Sequence, residues 1–318
     1  MLSQRAWQLY TPVIARPKRG GIMTKWPDGK SLAFGLMIPW EVWPADLGTP
    51  KSNQRSSQHA VPSDARYPRD MWAVWDHEYA EAQGLRRLLT MFDDFNIKST
   101  FVANGKRVEM NPELAREAAA AGHDMGSENY EHVYPIMMTI EEERASLEGC
   151  VAAFKSVLGK APTGYISPGH RPTPNTFPLI FELGYNWMSD FQGDDVPFRM
   201  QDGDRDLVCM PYAHVSDYQT YATDGRTPRD MLQMAIDEFD VLRKEGLRGS
   251  PKMMGFAIHP FLCHGFRTRA IEMLLEHVLA CPDVWVTTRS EITDWVRKNP
   301  KEFATVSMES VHSMFPVT

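Results

Sequence analysis

The chain has 318 residues, 34 of them Lys or Arg and 41 Asp or Glu, for a formal net charge of −7. That balance argues against nucleic acid and anionic membrane as partners, and no apolar run of about 18 residues marks a membrane-spanning helix. Hydrophobic (43%) and charged (24%) contents are those of a globular protein and exclude a disordered or fibrous one.

The N-terminal residues lack an apolar core followed by a small-residue cleavage site, so a cytoplasmic protein is expected. Cys150, Cys209, Cys263 and Cys281 are widely spaced and read as reduced, mostly buried thiols. Residues 1–30, rich in Pro, Gly and basic side chains, read as an arm, and 299–318 as a tail. A strand is expected over 31–38 (SLAFGLMI). A polar stretch over 42–70 follows, with Pro44, Pro50, Pro62 and Pro68; loops of that length are commonly functional lids or disordered.

Alternation then begins. Leu85, Leu88, Leu89 and Phe92 recur at helical spacing within 75–95, and a strand is expected over 98–102. Asn111-Pro112 opens a helix that Gly122 ends. A strand over 124–128 precedes a helix opened by the Thr139/Glu142 capping box. Strands are expected over 163–166, 187–191, 207–212, 253–259 and 284–287, and helices over 175–183, 228–244, 266–280 and 290–297. Repeated strand–helix units predict a parallel sheet, closed or nearly closed, with its chemistry at the C-terminal strand ends. That rule selects Glu41, Asn104, Glu128, His132, Ser167, Asp190 and His259.

Four segments together carry a family resemblance. Residues 84–132, ending in AAGHDMGSENYEH, then GYISPGHRPTPNT, WMSDFQGDD and GFAIHP match motifs of the polysaccharide deacetylases in order and spacing over about 31–298. The chain therefore resembles the polysaccharide deacetylase (NodB-homology, carbohydrate esterase family 4-like) superfamily. The resemblance implies an α/β fold, a distorted (β/α)7-type barrel forming a single NodB-homology domain. The segments SDFQGDDVPF and VWVTTRSEITDW resemble the cofactor-independent allantoinase and cyclic imide hydrolase-like branch.

The departures matter as much. Where sugar deacetylases carry two Asp, this chain reads Phe34-Gly-Leu-Met37-Ile-Pro39-Trp40-Glu41; the first ligand His of the second motif is Glu128, the second is kept as His132, and the Arg of the third is Ile166. No metal is expected on this reading. If one is held, zinc or another divalent ion, its ligands are Glu41, Glu128 and His132.

The resemblance implies that His259 protonates a leaving amine, supported by Asp190. Glu41 or Glu128 would activate water, and His132 with loop N–H groups would meet the oxyanion. Ser167 and His170 are expected in a turn close to substrate. Trp40, Tyr67 and Arg69, with Trp43, are expected at the barrel mouth, where aromatics stack on a planar ring and Arg clamps an oxygen. The expected function is hydrolysis of a non-peptide C–N bond in a small cyclic amide, imide or ureide. A metal-dependent N-deacetylase and a catalytically inactive binding barrel are the alternatives. A small-molecule substrate is the expected partner; related barrels are often symmetric homo-oligomers, but no interface can be read from the sequence.

Overall fold

The structure is a computed structural model and describes residues 25–44, 64 and 66–309. Most of the 1–30 arm and of the 42–70 loop lies outside the described residues.

The strands, in chain order, are β1 (Leu32–Trp40), β2 (Thr100–Ala103), β3 (Asp124–Ser127), β4 (Gly164–Tyr165), β5 (Trp187–Phe191), β6 (Phe198–Asp202), β7 (Arg205–Pro211), β8 (Val215–Ser216), β9 (Lys252–Ala257), β10 (Val284–Val286) and β11 (Thr305–Ser307). They form one sheet in the order β11-β6-β7-β5-β4-β3-β2-β1-β9-β8, with β10 added beside β1. Every pairing is parallel except β6 with β7. The chain is thus a mixed α/β domain with a parallel-rich, barrel-like sheet.

β1 is the axis. Leu32 to Met37 pair with β9 along one edge; on the other edge Leu32–Phe34 pair with β10 and Met37–Trp40 with β2. All nine of its residues are buried, as strands covered on both faces by parallel packing must be.

The hydrogen-bonded ladder does not close by itself. β8 follows β7 after three residues and pairs with β9, so the short link over 212–214 bridges the two ends. Arg289, fully buried, fills this seam. Its Nη2 donates to the carbonyls of Tyr212 (3.0 Å) and Pro211 (3.4 Å), and its Nε to Ser189 Oγ (3.4 Å). Gly255 makes the approach possible: a Cβ there would lie 1.8 Å from the Tyr212 oxygen and 2.6 Å from Arg289 Nη2.

Helices cover the outside. They are α1 (Met71–Tyr79), α2 (Leu85–Asp94), α3 (Gly105–Met110), α4 (Pro112–Ala120), α5 (Ile140–Leu158), α6 (Thr176–Glu182), α7 (Pro228–Leu247), α8 (Gly265–Leu279) and α9 (Arg289–Lys298). The single helix expected over 75–95 is two, α1 and α2, joined by a π-helical turn at Ala80–Gly84. Gly84 in that turn packs on the loop after β9: a Cβ there would meet the Pro260 carbonyl oxygen at 1.8 Å. Capping boxes at Thr139, Thr227 and Thr288 fix the starts of α5, α7 and α9. Part of the expected 299–318 tail, β11, pairs with β6. No described helix is long and apolar enough to cross a membrane.

Candidate active site

A cavity of about 460 Å³ opens at the C-terminal ends of the strands. Glu41, Trp43, Glu128, His132, His170 and His259 contribute to its lining, together with Tyr134, Tyr212 and Tyr218.

Three buried residues meet at its floor. Glu41 follows β1, Glu128 follows β3, and His132 lies one short loop further on. His132 Nδ1 is 3.0 Å from Glu128 Oε2 and 3.5 Å from Glu41 Oε1. Sequence-adjacent strands bring them together: β1–β2–β3 are neighbours, and the His132 N–H donates to the Val42 carbonyl at 2.8 Å. Asn104, also buried, locks the same corner. Its Oδ1 accepts from Val42 N (2.7 Å), and its Nδ2 donates to the Asn129 carbonyl (2.9 Å) and Glu128 Oε2 (3.4 Å).

Trp43 ties the cluster together. Its indole N–H donates to Glu41 Oε2, and its ring lies over that of His132 at 5.5 Å and an interplanar angle of 8°. His77, from α1, packs against Trp43 at 4.5 Å with its ring tilted by 52° and stacks on Phe261 at 4.2 Å. Arg107 donates to the Glu41 carbonyl at 2.6 and 3.0 Å and pairs with Glu81 at 3.1 Å, which fixes the backbone of the acid.

Electrostatics separate the two carboxylates. Burial would raise Glu41, but the nearby His132 and His259 outweigh it and hold its carboxyl well below the usual range. Burial dominates at Glu128 and pushes it up despite His132. For His132, burial opposes the charged ring, yet Glu41 and Glu128 raise it. His259 is likewise penalised by burial but raised to about 10 by Asp217 and Glu41.

His259 stands at the end of β9, with Nε2 3.6 Å from Glu41 Oε1. Its expected partner, Asp190, is corrected by the structure. Asp217 Oδ1 lies 2.7 Å from His259 Nδ1, and its Oδ2 accepts from the His259 backbone N–H at 2.7 Å. Strand order gives the reason: Asp217 directly follows β8, which pairs with β9, whereas Asp190 lies in β5, beside β4. Asp190 instead accepts from Ser167 N (3.0 and 3.1 Å) and meets His170 Nδ1 at 3.2 Å.

The remaining expected residues divide. His170 lines the cavity, while Ser167 is fully buried beneath it and supplies its backbone N–H to Asp190. Trp40 is not at the mouth: it is fully buried in the core and donates to Glu81 (2.8 Å), because the mouth-facing positions after β1 are Glu41 and Trp43. Tyr67 is 81% exposed, and neither it nor Arg69 is among the described residues lining the cavity. Asp217, Tyr134, Tyr218 and Gln192 were not singled out from sequence. A strand of two residues gives no periodicity to mark Asp217.

Glu41, Glu128 and His132 also fit a divalent cation. One ligand atom from each lies within 4.8 Å of the others. Their 3.0 and 3.5 Å separations bracket the roughly 3.3 Å between ligands held about 2.0–2.1 Å from a tetrahedral ion. The expectation that no metal is held therefore finds no support in this donor set.

The polysaccharide deacetylase family model matches residues 65–188. A Schizosaccharomyces pombe protein bearing a polysaccharide deacetylase name is 31% identical, with 70% of this chain and 76% of that one covered. A Helicobacter pylori peptidoglycan deacetylase is 25% identical, with 70% and 87% covered. Among solved structures, a Pseudomonas aeruginosa protein named for polysaccharide deacetylase superposes with a TM-score of 0.75 at 25% identity, covering 86% and 94%. The allantoinase PuuE superposes at 0.74 with 22% identity, covering 92% and 94%, which speaks to the fold alone.

Proposed function

The chain belongs to the polysaccharide deacetylase family, and we propose that it hydrolyses the C–N bond of a small cyclic amide, imide or ureide. The observation that carries this reading is the His259–Asp217 pair, whose Nε2 meets Glu41 at 3.6 Å in the cavity shared with Glu128 and His132. An amide hydrolase needs a base for water and an acid for the leaving nitrogen.

In this reading Glu128 takes a proton from the attacking water as its oxygen bonds to the carbonyl carbon. Glu41 is too weak a base for that step and serves to keep His132 and His259 charged. His132 faces the developing oxyanion. His259 then passes its Nε2 proton to the nitrogen as the C–N bond breaks, which frees an amine, amide or urea N–H according to the substrate; the new carboxyl group gives up its proton to the now neutral imidazole and leaves as a carboxylate. The aromatic side chains of Trp43, Tyr134, Tyr212 and Tyr218 in the lining support a planar ring.

A second reading, metal-assisted N-deacetylation of a sugar or small acetamide, is favoured by the three ligand atoms lying within 4.8 Å. Glu41, Glu128 and His132 would hold the ion, which when bound supplies a Lewis acid and an acidified water. His259 keeps its role in both.

The test is hydrolysis of allantoin, hydantoin, succinimide and N-acetylglucosamine by the full chain, with and without chelator, followed by mass spectrometry. Ring opening of a cyclic substrate supports the proposal. Turnover of the acetylated sugar alone transfers the site to the second reading, and no turnover at all defeats both.

A further inference from the structure

The cavity contains a second aspartate-backed imidazole that the hydrolytic steps leave unused. His170 follows β4 and His259 follows β9, so the strand order places them across the mouth from each other. Asp190, its side chain 1% exposed, accepts from Ser167 N with both oxygens and from His170 Nδ1 with one.

A carboxylate only accepts hydrogen bonds, so this contact places the proton of a neutral ring on Nδ1. In that neutral tautomer His170 Nε2 is an acceptor, and among the described residues no hydrogen bond reaches it. The ring packs on Tyr212 at 3.8 Å, which fixes its plane. The backbone is also bent to present it: Gly169 and His170 have φ of 64° and 54°. A left-handed non-glycine residue is uncommon, and such conformations concentrate at functional sites.

We infer that His170 is a specificity residue that accepts a hydrogen bond from a substrate N–H, so that the site selects imides and ureides with an unsubstituted nitrogen over their N-alkyl forms. The inference rests on the proposed C–N hydrolysis and deepens it, because it names which atoms of the ring are read. Arg171 lines the same cavity but has no acceptor atom, whereas Gln192 offers one amide oxygen beside the imidazole.

The experiment compares succinimide with N-methylsuccinimide, and hydantoin with its 1-methyl and 3-methyl forms. Each kcat/KM ratio is referred to the ratio of uncatalysed rates. The wild-type protein is expected to favour at least one N–H parent by about tenfold or more, the loss expected when an acceptor covered by the bound ring is left unpaired. In His170→Gly, which tolerates the left-handed backbone and has no side-chain acceptor, and His170→Phe, which keeps the ring on Tyr212, that preference falls to within about twofold of the uncatalysed ratio; a merely structural residue would slow all probes alike. An unchanged preference in both folded variants overturns the inference while leaving C–N hydrolysis standing. Wild-type inactivity on every probe sinks the hydrolytic reading instead. Calorimetric titration of the same pairs then reads the preference without turnover, and equal or absent affinity for both members overturns it.

Discussion

Asp217 holds His259 twice: one carboxylate oxygen meets the ring Nδ1 at 2.7 Å and the other accepts from the backbone N–H at 2.7 Å. The ring is thereby fixed in plane and in protonation pattern, with Nε2 as its only working atom. Replacing Asp217 by Asn keeps a hydrogen-bond partner but removes the charge that supports the imidazolium. The expected result is a fall in kcat of roughly 10²- to 10⁴-fold, the span of a general acid's contribution, with a much smaller change in KM. Asp190→Asn, which lies beside His170, is expected to spare kcat by comparison. Steady-state kinetics on a hydrolysed substrate check both.

His259 also makes stability depend on alkaline pH. Its pKa is raised from 6.5 to about 10, so the folded protein binds the proton more tightly than the unfolded chain. That stabilisation is complete below about pH 6.5 and is lost as pH rises through about 10. Melting temperatures between pH 7 and 10.5 should fall for the wild type and fall less for His259→Gln.

His77 behaves in the opposite sense. Burial lowers it to about 3, and its Nε2 is buried without a hydrogen-bond partner. The unfolded chain binds the proton more readily, so this residue's penalty is absent above about pH 6.5 and grows as pH falls toward 3. Phe at this position keeps an aromatic ring packed between Trp43 and Phe261 and removes the orphaned nitrogen. His77→Phe is expected to raise stability by about 1 kcal/mol at neutral pH and to flatten the acid side of the melting profile.

The Glu41–Glu128–His132 cluster gives a binding prediction. If the site is loaded with a divalent ion, elemental analysis finds near-stoichiometric metal in the wild type. Glu128→Gln and His132→Ala each lower that content, and chelator removes both metal and activity. Chelator-resistant activity with no metal removes the second reading.

Gly84 connects the helical layer to the acid. A Cβ there would sit 1.8 Å from the Pro260 oxygen, next to His259. Backbone atoms cannot yield as a flexible side chain does, so Gly84→Ala is expected to cost about 3 kcal/mol or more, measured by denaturant unfolding.

The sequence made the long elements visible because each has a strong period or a cap. Leu85, Leu88, Leu89 and Phe92 mark one buried helix face, and Thr139 with Glu142 marks a helix start. β6, β8 and β11 were missed; β8 has only two residues, and its partner β9 holds it in place. Asp217 stayed hidden for the same reason. Trp40 misled because β1 is buried on both faces, so no alternation shows which side chains turn to the mouth. Glu41, Glu128, His132 and His259 were legible as strand-end residues, but the pairing of each aspartate with its histidine depends on strand order. Linear spacing does not contain that order.

The most direct test of the account is the kinetics of His259→Ala on a cyclic imide or ureide that the wild-type chain opens. The account predicts that kcat falls by at least about 100-fold while KM changes little and the circular dichroism spectrum is unchanged. Wild-type turnover in the folded His259→Ala protein would contradict it.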